Sequence, residues 1–289
     1  MMMKSIFIQL LGLCLCAPSA FAFEHSGKIL LTGGVSQIEG AGGGGLSPWA
    51  TIGGYGTEDE VGANAFSTTV QTQAYQLAVV GGLVGFFDRA EVSFAKQTFN
   101  TQAVSSALGL GYNYKFIQDV FGVKVKLLGD VVLDQDTWLP QLAAGLQYKE
   151  NEQGDVVRSV GAKDDRGTDF YLVATKIVLE QSLLYSVTLR STKANQIGIL
   201  GYGGDKNDTA QLRVEGTLAY LLNQHWAAGI EYRQKNDNLK IAKEDDWADG
   251  FVSWAPTKNI SLTVAAVSLG SIVLQNNQQG LYSSLQVGF

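Results

Sequence analysis

Only two histidines, His25 and His225, occur in a chain of 289 residues. The side chain most often recruited for acid–base and metal chemistry is therefore nearly absent. A serine hydrolase working at a membrane would need one of them as the base that activates its nucleophile. His225 stands beside Trp226 at an expected turn, where an interfacial polar role accounts for it, and His25 lies near the chain start. Asp164-Asp165 and Glu244-Asp245-Asp246 could hold a cation, yet neither has the spacing of a calcium loop. Both read as solvated acidic loops. Residues 40–45, GAGGGG, are glycine-rich enough for a phosphate loop, but such a loop closes on Gly-Lys-Ser/Thr at a helix N-terminus. Leu46-Ser47-Pro48 follow instead, so the glycines read as a turn or as a close approach of backbone inside a lumen. No catalytic residue, cofactor or metal site is expected.

The remaining charges have a different pattern. Most stand singly inside segments where apolar and polar residues alternate. Leu183, Tyr185, Val187 and Leu189 alternate with Ser186, Thr188 and Arg190; Phe121, Val123, Val125, Leu127 and Val131 alternate with Lys124, Lys126 and Asp130. Period two marks a strand with one apolar and one polar face. Segments of this kind fall near 28–38, 46–57, 60–72, 75–87, 89–99, 120–133, 137–149, 167–180, 183–195, 208–222, 225–236, 246–255, 259–268 and 280–289. Many exceed the usual strand of about 5–6 residues and match the ~9–11 needed to cross a bilayer. Connections alternate between short, near 88, 181, 223 and 257, and long and polar, as in 150–166, 198–208, 236–246 and 270–279. Outer-membrane barrels connect their strands in this way. The expected fold is a transmembrane, antiparallel, up-and-down β-barrel of fourteen strands. If the first segment lies in the lumen and one other strand fails, the count becomes twelve.

The polar parity then lines the lumen. It includes Arg89, Glu91, Lys124, Lys126, Asp130, Lys149, Lys176, Arg190, Arg213, Glu215, Glu231, Arg233, Lys235 and Asp249. Around the turn at Asn223-Gln224 two registers fit. One sets Glu215 against Glu231, and the other sets Glu215 against Arg233. Like charges directly opposite are unfavourable, so the second is expected. Trp138 and Tyr148, ten residues apart on one face, would span the apolar band between two aromatic girdles, with Tyr220, Trp226 and Phe289 at the periplasmic one. Residues 100–119 form a long, unusually apolar loop, expected to fold into or over the lumen and narrow it.

Both chain ends fit an envelope protein. Lys4, an apolar run from Ile6 to Cys16 and Ala20-Phe21-Ala22 read as a signal peptide over 1–22. That leaves 23–289 as a single barrel domain, with 23–45 partly lumenal. Both cysteines, Cys14 and Cys16, fall in the leader, and removing Lys4 takes the formal charge from −6 to −7. An acidic chain argues against nucleic-acid partners. The last residues, LYSSLQVGF, alternate up to a terminal Phe289 and resemble the assembly signal of bacterial outer-membrane proteins, interrupted at Ser283. The expected partners are outer-membrane lipid, the barrel-assembly machinery through Phe289, and a small solute.

Residues 30–66, 86–99, 134–149 and 194–205 (ANQIGILGYGGD) together resemble a proteobacterial family of unknown function. The resemblance spans nearly the whole mature chain. It implies a Gram-negative outer-membrane setting and no activity. The functional expectation is a passive channel for small solutes with a weak anion preference, since a mildly basic wall suits anions. The alternatives are a non-transporting structural or interaction barrel and, less favoured, an outer-membrane lipid-modifying enzyme.

Overall fold

A computed structural model describes residues 28–33 and 35–289. The expected leader and His25 lie outside the described residues. Twelve antiparallel strands follow one another: β1 (Val61–Thr72), β2 (Gln76–Phe86), β3 (Ala90–Asn100), β4 (Lys115–Leu128), β5 (Gln141–Asn151) and β6 (Arg166–Val178). They continue with β7 (Leu183–Thr192), β8 (Gln211–Leu221), β9 (Trp226–Arg233), β10 (Trp247–Trp254), β11 (Ile260–Ser268) and β12 (Gln279–Gly288). Each pairs with its sequence neighbours, and β1 pairs with β12, so the sheet closes on itself. Closure leaves no unpaired edge, which hydrocarbon would not tolerate. Among the described residues no helix is long and apolar enough to cross a membrane.

Alternation decides which face is which. On β7, Tyr185, Val187 and Leu189 point outward and are exposed, whereas Ser186, Thr188 and Arg190 point inward and are buried. Phe121, Leu172, Leu218, Ile230 and Val264 continue the exposed apolar wall around the barrel. An apolar surface this extensive is stable only against lipid. The turns 87–89, 179–182, 222–225 and 255–259 are short, and the start of β1 and Phe289 share their mouth. Segments 101–114, 152–165, 193–210, 234–246 and 269–278 gather at the other mouth, with two short helices, α1 (Val104–Ala107) and α2 (Gly154–Ser159). Apart from the long connection 129–140 at the first mouth and the short turn 73–75 at the second, short turns mark the periplasmic side and long loops the outside.

The count is twelve, the alternative to the favoured fourteen, because residues 28–57, read as two strands, run inside the lumen. Their glycines deny them strand propensity, and their apolar residues fall on both parities, so no lipid face exists. The expected strand 120–133 is β4, which begins at Lys115 and ends at Leu128, so the loop assigned to 100–119 is only 101–114. Phe116 and Val120 are apolar yet face inward, which hid its first turn of pleat. Pro140, lacking an N–H, stands just before β5, so the strand starts at Gln141 rather than at 137. Trp138 therefore sits exposed in the connection 129–140, and no strand joins it to Tyr148. Val131, expected to face lipid, is buried in the same connection.

Candidate functional site

Residues 28–57 form a plug that enters and leaves through the periplasmic mouth. The Lys28 ammonium donates to the carbonyls of Ile52 (2.8 Å) and Gly54 (3.1 Å), tying the two arms together. The apex is a turn at 37–40, closed by Gly40 N–H donating to the Gln37 carbonyl, with Gly40 at φ +98°. Glycine is the residue that adopts this conformation at little cost.

Wall side chains, more than plug side chains, hold the plug. Glu91 accepts from the N–H groups of Gly42 (3.0 Å) and Gly53 (2.7 Å). Lys124, paired with Glu91 at 3.0 Å, donates to the carbonyls of Gly42 (2.9 Å) and Trp49 (3.1 Å). Glu231 accepts from Leu46 N–H (2.8 Å) and the Ser47 hydroxyl (3.1 Å), and Gln286 accepts from Ser36 N–H (2.6 Å). The glycine run 42–45 makes this approach feasible: a Cβ at Gly44 would run into the Glu231 carboxylate, and one at Gly42 would lie 2.9 Å from Glu91. Ile38, Leu46 and Trp49 fill the gaps against inward residues such as Phe66, Trp247 and Tyr282. Two inner cavities between plug and wall measure about 20 and 30 Å³, room for a single water each, while a larger one of about 170 Å³ lies at the periplasmic mouth between Thr32 and Thr51 of the plug and Asp130, Val131 and Gln141.

A second segment closes the lumen from outside. Residues 194–203 dip inward around a 3₁₀ turn at Gln196–Gly198. The Ile197 carbonyl accepts from Lys149 Nζ (3.1 Å) and Gln118 Nε2 (3.3 Å). Gln196 N–H donates to the Glu244 carboxylate at 2.9 Å, and Glu244 pairs with Lys235 at 2.8 Å. Burial pushes the Glu244 carboxyl up and the Lys235 ammonium down, in each case more than the pairing restores. Segment 101–114 covers part of the same mouth. Its Val104 is buried, and it lines an apolar pocket with Phe99, Leu200, Ala242 and Val273, while Tyr112 stays exposed.

Plug and outer segment meet at a ring of charge. Five consecutive strands each contribute one inward group: Lys149 (β5), Asp169 (β6), Arg190 (β7), Glu215 (β8) and Arg233 (β9). The signs alternate, and neighbours are in contact. Lys149 lies 2.7 Å from Asp169, which is 3.7 Å from Arg190; Arg190 lies 2.5 Å from Glu215, which is 3.2 Å from Arg233. Both ends of this belt are cations. Glu39, at the plug apex, closes the ring, with one carboxylate oxygen on Lys149 and the other 2.7 Å from Arg233 Nη1. All six groups are buried, and Glu39 is fully so. Burial alone would raise the Glu39 pKa; Arg233, Lys149 and Arg190 outweigh it and hold the carboxyl well below its usual range. Arg190 is also packed over the Tyr171 ring at 5.1 Å.

Of the residues expected on the lumen wall, Glu91, Lys124, Arg190, Glu215, Glu231 and Arg233 are buried inside the barrel. Glu215 and Arg233 are cross-strand partners, the register that charge had favoured. Lys126 and Asp130 belong to the periplasmic rim, where Lys126 pairs with Asp88 at 2.6 Å. Arg213 lies half-buried toward the outer rim, with Nε 2.6 Å from Asn236 Oδ1. Arg89 is a correction: it sits exposed in the turn 87–89, where the strand's parity no longer applies. Tyr148, Tyr220, Trp226 and Phe289 face outward or cap the periplasmic end, and Trp226 stacks on Trp254 at 5.6 Å. His225 Nδ1 lies 2.8 Å from the Ala255 carbonyl in the periplasmic turns. The reading of charges by parity missed Glu39 and Asp169. Inward Tyr171 and Val173 make β6 apolar on both faces, which masked Asp169. Glu39 lay between two segments mistaken for strands.

Over residues 32–286 the chain matches the model of a family described as "Protein of unknown function (DUF3034)". The chain belongs to this family. The matched span of this DUF3034 protein includes the plug from Thr32 on, the belt and the outer segment. Among solved structures, a KdgM porin is similar at 10% identity and TM-score 0.50, covering 78% of this chain and 99% of that one. A NanC porin is similar at 9% identity and TM-score 0.50, covering 78% and 98%. Outer membrane phospholipase A from Escherichia coli is similar at 11% identity and TM-score 0.44, covering 78% and 92%. At such identities the likeness is one of fold, that of a bacterial outer-membrane barrel. The lipid-facing wall of the DUF3034 protein agrees with that setting. No curated protein matches the sequence.

Proposed function

We propose that this barrel is a plug-gated outer-membrane pore for small solutes, closed at rest and anion-preferring when open. The closed charge ring carries the proposal. Its wall part holds three cations and two carboxylates, and the balancing charge, Glu39, belongs to the plug. Withdrawing the plug would leave a belt of net charge +1 facing the lumen, and an excess of lysine and arginine at one ring of a pore wall favours anions at that ring, against Glu231 and Asp249, which form no ion pair among the described residues elsewhere on the wall. The seating is also imperfect in a way that suits a removable part. Gln37, beside Glu39 and fully buried, has neither amide atom hydrogen-bonded, and the Thr51 hydroxyl on the plug is likewise unpartnered. Each such group costs about 1–3 kcal/mol relative to water. A lumen filled only for rigidity has no need of them.

A second reading, a permanently closed structural barrel, is favoured by the filling of the lumen from both ends. Conductance of the full chain in planar bilayers, with and without Glu39→Arg, separates the two. Charge reversal sets a cation against Lys149 and Arg233 and should expel the apex. Steady anion-selective steps from the variant support the pore, and silence from a folded variant supports the closed barrel. A lipid-hydrolysing role has little support, because His225 is engaged with a backbone carbonyl at the periplasmic rim.

The girdle and assembly roles of Tyr148, Tyr220, Trp226 and Phe289 belong to the same proposal. The backbone of Phe289 is fully engaged after folding: its N–H donates to the Ala63 carbonyl (2.7 Å), and its carbonyl accepts from Tyr55 (2.8 Å) and Ala63 (3.0 Å). Recognition of Phe289 by assembly machinery would therefore precede closure of the barrel.

A further inference from the structure

We infer that the belt Lys149–Asp169–Arg190–Glu215–Arg233 is a binding site for a carboxylate-bearing solute, and that Glu39 is its built-in occupant. The inference rests on the pore reading and adds a ligand class and a trigger: a solute carboxylate takes the place of Glu39 and holds the plug out.

The geometry is that of a receptor. The belt's two ends, Lys149 and Arg233, lie on strands β5 and β9, yet one carboxylate spans them, one oxygen to each. Arg190, midway along the belt, points Nη2 toward the same carboxylate at 3.8 Å. The wall carboxylates fix these donors from behind. Glu215 holds both guanidinium groups through Nε, at 2.5 Å and 3.2 Å, and Asp169 holds Lys149 at 2.7 Å. Gln147 Oε1 accepts from Arg190 Nη1 at 2.7 Å. The cations are thus oriented by the wall and stay in place when the plug leaves. Planar guanidinium donors suit the two oxygens of a carboxylate.

Charge selects the ligand class. The belt alone carries +1, so a monoanion neutralises it, and a dianion leaves an excess negative charge in a dry site. Neutral solutes leave the two end cations unmatched. Besides the Glu39 carboxylate the plug offers the belt the Leu46 carbonyl, which accepts from Arg233 Nη1 at 3.0 Å and which a ligand hydroxyl or water must replace; the neighbouring Gln37 makes no side-chain hydrogen bond. Glu39 is fully buried, so a competitor meets the belt only when the plug fluctuates out, and it then shifts the population toward the open state. The outer segment touches the same node, through Lys149 Nζ and the Ile197 carbonyl, so occupancy by a solute would be felt on both sides of the closure.

The test uses single-channel recording of the full barrel in planar bilayers, with gluconate and glucose as probes of similar size and different charge. Wild-type openings should become more frequent with gluconate, the open-to-closed ratio rising as 1 + [gluconate]/Kd, about elevenfold at ten times Kd. Glucose should change nothing. Glu39→Arg should open the pore without ligand, and gluconate should then reduce its current in a saturable way. Arg233→Met should remove the gluconate response, with heat-modifiable gel migration verifying a folded barrel. If Glu39→Arg conducts but gluconate acts no differently from glucose on either protein, the belt is a structural latch and this inference fails while the pore reading stands. If folded Glu39→Arg is silent, both fail.

Discussion

Replacing Glu39 by glutamine removes one charge and almost no volume. In the closed state the belt would then hold three buried cations against two carboxylates, with the ends at Lys149 and Arg233 left short of a partner. Removing one partner of a buried ion pair costs about 3–5 kcal/mol, because the remaining charge stays desolvated. In the open state water reaches the belt in both proteins, so that cost falls almost wholly on the closed form. At about 1.4 kcal/mol per tenfold, the closed-to-open ratio should drop between about a hundredfold and a few thousandfold. The strand ladder is untouched, so the barrel itself should remain folded. Planar-bilayer recording gives open probability directly, and far-UV circular dichroism with unheated gel migration verifies the fold. A folded Glu39→Gln barrel whose open probability lies within tenfold of wild type would refute the reasoning, since the ring would then contribute nothing to closure.

The pH dependence of that difference has a defined sign. Glu39 is held below its ordinary pKa when seated and returns to it when released, so its contribution to closure is complete above about pH 4.3 and is lost as pH falls through the seated value. The gap in open probability between wild type and Glu39→Gln should therefore be constant from pH 8 to 5 and shrink only in stronger acid; a gap that closes between pH 8 and 6 would contradict this. Gly44→Val places a branched side chain against the Glu231 carboxylate, and overpacking of this kind costs about 1–3 kcal/mol, which should appear as faster proteolysis of the plug with the strands intact. Asp249 faces Glu231 across β9 and β10; neither forms an ion pair among the described residues, and Asp249 Oδ1 has no partner. Asp249→Asn should raise thermal stability or leave it unchanged, by up to about 2 kcal/mol, whereas Glu215→Gln should lower it by about 3–5 kcal/mol. Leu218→Arg, on the lipid face of β8, should cost about 2–4 kcal/mol in unfolding from bilayers, a penalty absent if that face met water.

The barrel was legible where one face is lipid and the other polar. β7, β8, β9 and β11 alternate cleanly, and the register of β8 against β9 followed from turn position and charge, as the Glu215–Arg233 pair shows. Legibility failed wherever the inward face was itself apolar. The start of β4 carries Phe116 and Val120 inward, and β6 carries Tyr171 and Val173, because these positions pack against the contents of the lumen. A wall that meets packing material reads as buried on both sides, and period two disappears. The plug was the least legible part. Its backbone is satisfied partly by irregular turns of its own, such as Ile38 to Gly45 and Trp49 to Gly42, and partly by Glu91, Lys124, Glu231 and Gln286, all distant in sequence, so no regular period marks the arrangement. Two of the four stretches that resemble a family, 30–66 and 194–205, include the two lumen-filling segments, which parity alone could not place.

A reversible cross-link tests directly whether the plug is the gate. The hydroxyl oxygens of Ser47 on the plug and Thr217 on β8 lie 2.8 Å apart, so cysteines at these positions bring their sulfurs within reach of each other. The chain's own cysteines, Cys14 and Cys16, both lie in the expected leader. In a Glu39→Gln background, Ser47→Cys with Thr217→Cys should be silent when oxidised and conduct in anion-selective steps after reduction. Equal, non-zero conductance in the two redox states would mean that ions pass with the plug in place, and silence in both would mean that the outer segment keeps the lumen closed without it; either result contradicts the plug as the gate.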